Sequence, residues 1–169
     1  MSKTISHVVL PGTYDPVTLG HLDVIRRTSY LFDQVTVGVA ASRTKRGVGT
    51  AFELEERVDM IKESLDELGI TGVNVLPFEG LLVDFCKEVG AGGVVKGLRA
   101  MTDFEVELQQ ADLNAHLAPD LESVFVMANP AYGYVSSSIV RELSLLKAPV
   151  DGLVTKCVAR CLLEHYSAR

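Results

Sequence analysis

The segment Pro11-Gly12-Thr13-Tyr14-Asp15-Pro16-Val17-Thr18-Leu19-Gly20-His21 holds the residues whose types and spacing point most directly to chemistry. It follows a short apolar run and leads into an amphipathic one, the turn where open α/β sheets bind ligands. Gly20 and His21 would open the helix that follows. Free N–H groups and the positive end of the dipole attract a phosphate there, and the imidazole adds a donor. A histidine at a helix start is often an ordinary first-turn residue, so the tetrapeptide Thr18-Leu19-Gly20-His21 does not settle the matter alone. The segment carries neither the G-x-G-x-x-G of dinucleotide-binding folds nor the G-K-[ST] of a P-loop, which leaves a dehydrogenase and a P-loop kinase unsupported.

Two further clusters belong with it. Lys96-Gly97-Leu98-Arg99 places two cations at the C-terminal end of a predicted strand, on the sheet edge that carries Thr13 and His21. Solvated loop charges are the default reading of such a pair, but two positive charges at that edge suit a polyphosphate. Tyr132-Gly133-Tyr134-Val135-Ser136-Ser137-Ser138 brings three hydroxyls to the start of another helix, where serines serve as caps or hold phosphate. The stretch from Ser42 to Ala51, with Arg43, Lys45 and Arg46 followed by Gly47 and Gly49 between two regular elements, is basic and able to close over an anion. Cys157, Cys161 and His165, spaced i, i+4 and i+8, would share one helix face. With no fourth ligand apparent, buried packing outweighs a metal site there.

The elements that must position these residues alternate between short β-branched runs and longer amphipathic ones. That pattern predicts an α/β fold: an open, parallel, five-stranded sheet, Rossmann-like, with helices on both faces in a single domain. Strands are expected at Ile5–Leu10, Val35–Ala41, Val73–Leu76, Gly93–Lys96 and Ser123–Met127. Helices are expected at Gly20–Leu31, Glu53–Leu68, Leu81–Val89, Thr102–Leu117, Ser136–Leu146 and Asp151–His165. In the second helix Leu54, Val58, Ile61, Leu65 and Leu68 repeat at helical spacing and form the packing face. Gly69 and Gly90 are expected to end their helices in the left-handed conformation.

At 169 residues the chain is the size of one domain, and a net charge of -6 argues against a surface that coats nucleic acid. Any bound phosphate must therefore be met locally. Val8-Val9-Leu10 is too short for a signal-peptide core or a membrane span. Three cysteines form no paired framework. A soluble, cytoplasmic protein with reduced thiols is expected, with no nucleic-acid or membrane partner.

Thr18-Leu19-Gly20-His21 resembles the [HT]-x-G-H signature of the nucleotidyltransferase superfamily, and PGTYDPVTLGH, KGLRAMTDFEVE and YVSSSIVRE together resemble three motifs of the phosphopantetheine adenylyltransferases. Phe32-Asp33, the Phe52 to Arg57 stretch and Leu121 to Phe125 extend the likeness over nearly the whole chain. The resemblance implies transfer of the adenylyl group of ATP to 4'-phosphopantetheine, giving dephospho-coenzyme A and pyrophosphate. It further implies Mg2+ as cofactor with no protein side chain as metal ligand, coenzyme A as feedback inhibitor, and a homohexamer. It assigns Thr13 to the incoming phosphate, His21 to the α-phosphate and Lys45 to a bridge between the two. Arg99 would meet the triphosphate and Lys96 the phosphate of phosphopantetheine. Tyr14, Gly97, Leu98, Glu107 and the run Tyr132, Gly133, Tyr134, Val135, Ser136, Ser137, Ser138 match the ATP site. Leu82 and Asn114 match positions along the pantetheine arm.

The departures from the family pattern are Val106 where tyrosine is common, Gln110 where an apolar residue is usual, and Ala115 where a basic one is common. They bear on the shape of the pantetheine pocket and on subunit contacts or feedback more than on the reaction. A proline motif is also missing before the last helix. Two other readings compete with this one. One is a relative with a different acceptor, a cytidylyltransferase or nicotinamide-mononucleotide adenylyltransferase, which the K-G-L-R and S-S-S segments disfavour. The other is a non-catalytic nucleotide or coenzyme A sensor, which the presence of Thr13, His21, Lys45 and Arg99 disfavours.

Overall fold

The computed structural model describes residues 4–41, 49–99 and 101–167. Five strands, β1 (His7–Gly12), β2 (Gln34–Ala40), β3 (Val73–Phe78), β4 (Gly93–Leu98) and β5 (Glu122–Met127), form one parallel sheet in the order β3-β2-β1-β4-β5. Between and after them run α1 (Leu19–Ser29), α2 (Leu54–Glu67), α3 (Leu82–Val89), α4 (Met101–Leu117), α5 (Ser137–Leu145) and α6 (Lys156–Ser167).

The strands are apolar because both faces of the sheet are covered. Side chains alternate across a strand, and the core divides accordingly. Val8 and Leu10 of β1 join Leu22 and Ile25 of α1, Val58, Ile61 and Leu65 of α2, Val140 of α5 and Val158 and Leu162 of α6. Val9 and Val94 face the opposite side, with Val83, Phe85 and Cys86 of α3 and with Leu121. On α2 the expected stripe is the packed face, with Leu54 and Leu68 only partly buried at its ends. Gly69 and Gly90 adopt φ of 64° and 74°, as their place after α2 and α3 requires.

Three boundaries differ from the sequence expectation in ways that matter. β1 runs on through Pro11 and Gly12, which stay in register with Gly38 and Val39 of β2, so Thr13 is the first residue off the sheet. β4 includes Gly97 and Leu98, which makes Arg99 the first residue beyond it. The last helix begins at Lys156 rather than Asp151. Gly152 sits at φ 76° and Asp151 bridges Val154, while the Glu67 carboxylate of α2 accepts the N–H groups of Lys156 and Cys157 at 3.0 and 3.2 Å. That cap comes from α2, so local sequence gave no sign of it. A short 3-10 turn at Pro130–Tyr132, held by Asn129 Oδ1 on the Ala131 N–H at 3.0 Å, was also not legible as a helix.

Strand order reverses between β1 and β4, because the chain moves outward through β2 and β3 and then returns to the other side of β1. In open α/β sheets that switch point opens a crevice beyond the carboxyl ends of the two strands.

Candidate active site

At the end of β1 the backbone is tightly folded. A Cβ on Gly12 would stand 2.8 Å from the Tyr14 ring, so glycine is needed for the approach. Tyr14 holds a left-handed φ of 50°, its ring buried and its hydroxyl donating to the Leu10 carbonyl at 3.1 Å. Burial pushes the Tyr14 phenol well above its ordinary range, so it stays protonated. Its ring meets that of His21 edge-on at 5.0 Å.

Thr18 caps α1 and, with His21, forms a reciprocal capping box. The Thr18 N–H donates to His21 Nδ1 at 3.0 Å, and Thr18 Oγ1 accepts from the His21 N–H at 3.4 Å. Because Nδ1 accepts a backbone N–H, the neutral ring carries its proton on Nε2. Burial, reinforced by the positive charge of Arg99, lowers the His21 pKa to about 4. At neutral pH the imidazole is an uncharged N–H donor in the first turn of a helix.

From β4 and α4 come two cation–carboxylate pairs. Lys96 Nζ lies 3.2 Å from Glu107 Oε2. Arg99 Nε lies 3.2 Å from Asp103 Oδ2, the Arg99 N–H donates to that same oxygen at 3.1 Å, and Nη1 donates to the Val135 carbonyl at 3.2 Å. The guanidinium is thus held on two sides. α1 packs close to β4: a Cβ on Gly97 would stand 3.0 Å from Val24 Cγ2.

The last wall is the start of α5. Ser136 is its cap, accepting the Ile139 N–H at 3.2 Å, and Ser137 Oγ donates to the Pro16 carbonyl at 2.8 Å. Gly20 of α1 approaches Tyr132, whose Cβ would be 3.4 Å from an added methyl.

These parts enclose a cleft of about 350 Å³ at the switch point. Thr13, Tyr14, His21, Lys96, Gly97, Arg99, Glu107, Tyr132, Val135, Ser136, Ser137 and Ser138, all expected from the sequence, line it. Others in the same expectation are not part of the lining. Leu98 is buried within β4, Tyr134 is 66% exposed, and Gly133 ends the 3-10 turn. Leu82 packs with the cluster around Val9 and Phe85, and Asn114 is buried on α4. Lys45 lies outside the described residues. Val106, Gln110 and Ala115 are exposed on α4 and stand apart from this lining.

Asp103 was missed. The signal was present, since Asp103 and Glu107 are four apart on α4 and so share the face that meets Lys96 and Arg99. Cys157 instead makes sulfur contacts with Ser64 and Thr155 hydroxyls at 3.3 and 3.2 Å, and His165 packs on Phe52 at 4.9 Å between ring centres. Among the described residues no three His, Cys, Asp or Glu side chains gather as a metal site would require.

The arrangement can receive a polyphosphate: a neutral N–H donor, two cations, a hydroxyl cluster at a helix start and the first turn of α1 converge on one crevice. Comparison with known proteins agrees. Residues 9–143 match the family model described as cytidylyltransferase-like. A phosphopantetheine adenylyltransferase of Moorella thermoacetica is 48% identical over 94% of this chain and 96% of its own. One of Streptomyces coelicolor is 44% identical over 95% of this chain and 98% of its own. A crystal structure of a bifunctional NMN adenylyltransferase/ADP ribose pyrophosphatase from Francisella tularensis shares the fold at a TM-score of 0.72 and 13% identity, covering 97% of this chain and 50% of that one. With its sheet order, its switch-point cleft and near full-length identity above 40% to these enzymes, the chain belongs to the phosphopantetheine adenylyltransferases, within the cytidylyltransferase-like nucleotidyltransferases.

Proposed function

We propose that the chain carries out its family's reaction in this cleft: the phosphate of 4'-phosphopantetheine attacks the α-phosphorus of ATP, giving dephospho-coenzyme A and pyrophosphate. The single observation that carries the reading is the Thr18-held, neutral His21 beside Arg99 and the Ser136–Ser138 helix start in one crevice. One oxygen–phosphorus bond forms at the α-phosphorus as the bond to the β-phosphate oxygen breaks. The attacking phosphate is already an anion at neutral pH, so no side chain has to remove a proton.

The residues' task is to hold two polyanions in line and to meet the charge that grows on the leaving pyrophosphate. His21 Nε2–H serves the α-phosphate, Arg99 with the Ser136 and Ser138 hydroxyls at the start of α5 the outer phosphates, Thr13 and Lys96 the acceptor phosphate, and Lys45 bridges the acceptor phosphate and the α-phosphate. Tyr132 and the segment to Val135 enclose the adenine, with Leu82 and Asn114 toward the pantetheine arm. Asp103 and Glu107 keep Arg99 and Lys96 in place until phosphate competes for them.

Mg2+ fits this scheme as an ion carried on the nucleotide. The cleft's two described acidic side chains face Arg99 and Lys96, and a hard cation that keeps its waters is bound largely by phosphate oxygens. It would supply charge neutralisation between the phosphates. A cytoplasmic homohexamer inhibited by coenzyme A completes the proposal and rests on family membership. No described helix is long and apolar enough to cross a membrane.

The test is pyrophosphate release with ATP, Mg2+ and 4'-phosphopantetheine, repeated without acceptor and with CTP or nicotinamide mononucleotide substituted. Release that needs both ATP and phosphopantetheine is expected. Silence alongside tight binding of coenzyme A would replace the enzyme by a sensor.

A further inference from the structure

Arg57 of α2 lines no part of the cleft, yet it is 2% exposed, a burial that a guanidinium tolerates only when its N–H groups are matched. Its partners are three main-chain carbonyls from three separate segments. Nη1 donates to Thr13 at 2.6 Å and to Ala40 at 3.0 Å, and Nε donates to Phe52 at 3.2 Å. Burial pulls its pKa down, while the carboxylates of Asp15, Glu53 and Glu55 favour the charge.

The contact with Thr13 falls at a demanding place. Thr13 is the first residue beyond β1, and Tyr14 after it holds a left-handed φ of 50° that a non-glycine residue keeps only where its surroundings enforce it. The peptide unit is planar, so fixing the Thr13 carbonyl also fixes the Tyr14 N–H, a donor on the opposite side. The rest of the loop is tied from elsewhere. Asp15 accepts the N–H groups of Ala51 and Phe52 at 2.8 and 3.0 Å, Arg141 of α5 donates to the Asp15 carbonyl, and Ser137 to that of Pro16. Among these described contacts the carbonyl of Thr13 is held by Arg57.

We infer that Arg57 is a positioning residue for the transfer reaction, acting through Thr13: its grip on the carbonyl sets where the Thr13 hydroxyl meets phosphate. This rests on reading the cleft as the site of adenylyl transfer. A misplacement of about 1 Å at such a group is enough to cost on the order of 100-fold in rate.

The experiment is a double-mutant cycle over Arg57→Lys and Thr13→Ala, with Arg57→Gln as a second probe, each assayed at least ten degrees below its own melting point, roughly, so that folding and rate separate. Arg57→Lys is expected to lower kcat by about 10- to 100-fold with the KM for ATP within about twofold, and to cost less than about threefold when Thr13 is already alanine. Additive losses would overturn the proposal, as would an unchanged kcat in either folded Arg57 variant. It also falls if neither variant folds while Thr13→Ala does, since Arg57 would then serve the fold alone. Wild-type protein is the control for the underlying reading. If it releases no pyrophosphate, the same cycle is read by calorimetric binding of 4'-phosphopantetheine, the ligand whose phosphate Thr13 is proposed to meet, where non-additivity is again expected and additivity again overturns the inference.

Discussion

Thr18 and His21 hold each other in place: the Thr18 N–H reaches His21 Nδ1 at 3.0 Å while Thr18 Oγ1 accepts the His21 N–H and stands 3.1 Å from Nδ1. One pair of residues therefore caps a helix and chooses the tautomer of the imidazole. Thr18→Ala is expected to lose about 1 kcal/mol of stability through the missing cap and to lower kcat, while Thr18→Ser restores most of both. Urea unfolding and steady-state rates on the two variants check it.

His21→Ala removes a donor proposed to act on the α-phosphate as charge builds. The expected loss is about 10²- to 10³-fold in kcat, with ATP binding changed far less. A variant that binds ATP poorly but turns over normally at saturation contradicts the role.

The pH response follows from the depressed His21 pKa. Folded protein holds this proton with a pKa of about 4 against 6.5 for a free histidine, so between those values the unfolded chain binds more protons and stability rises with pH. The contribution is fully present above pH 6.5 and lost as pH falls toward 4. His21→Gln should flatten that part of a melting-point profile. Burial is the larger cause and Arg99 the second, so Arg99→Met should raise the His21 pKa only part of the way, as NMR titration of the ring would show.

Two glycines let the sheet and helices approach. A Cβ at Gly38 would meet Phe85 Cε1 at 2.8 Å in the stacked Phe78–Phe85 pair, whose ring centres lie 4.6 Å apart. Gly38→Ala is expected to cost about 1–3 kcal/mol by overpacking. Gly97→Ala would press Val24 at 3.0 Å beside the cleft, and Val24→Ala should relieve it. Thermal melts of Gly97→Ala with and without Val24→Ala decide whether that contact is the cause.

Much of this protein could be read from periodicity. The runs around Val8, Val35, Val75, Val94 and Val126 are apolar because strands in a covered parallel sheet bury both faces, and the α2 stripe repeats because a helix turns every 3.6 residues. The site loops were legible for a related reason: glycine, hydroxyl and cation types clustered just after predicted strands, where a sheet of this class opens its crevice.

Local sequence is silent on contacts between distant segments. Nothing near Lys156 announced that Glu67 would cap it, nothing near Arg57 that it would reach Thr13, and nothing near Arg99 that Val135 would hold its guanidinium. The amino-acid order by itself determined which segments become strands and helices and which residue types stand at their ends, because those depend on neighbours a few positions away. Strand order, the neutral state of His21 and the hold of the Val135 carbonyl on Arg99 were settled by the folded chain, because burial and electrostatic environment exist only once distant segments have met.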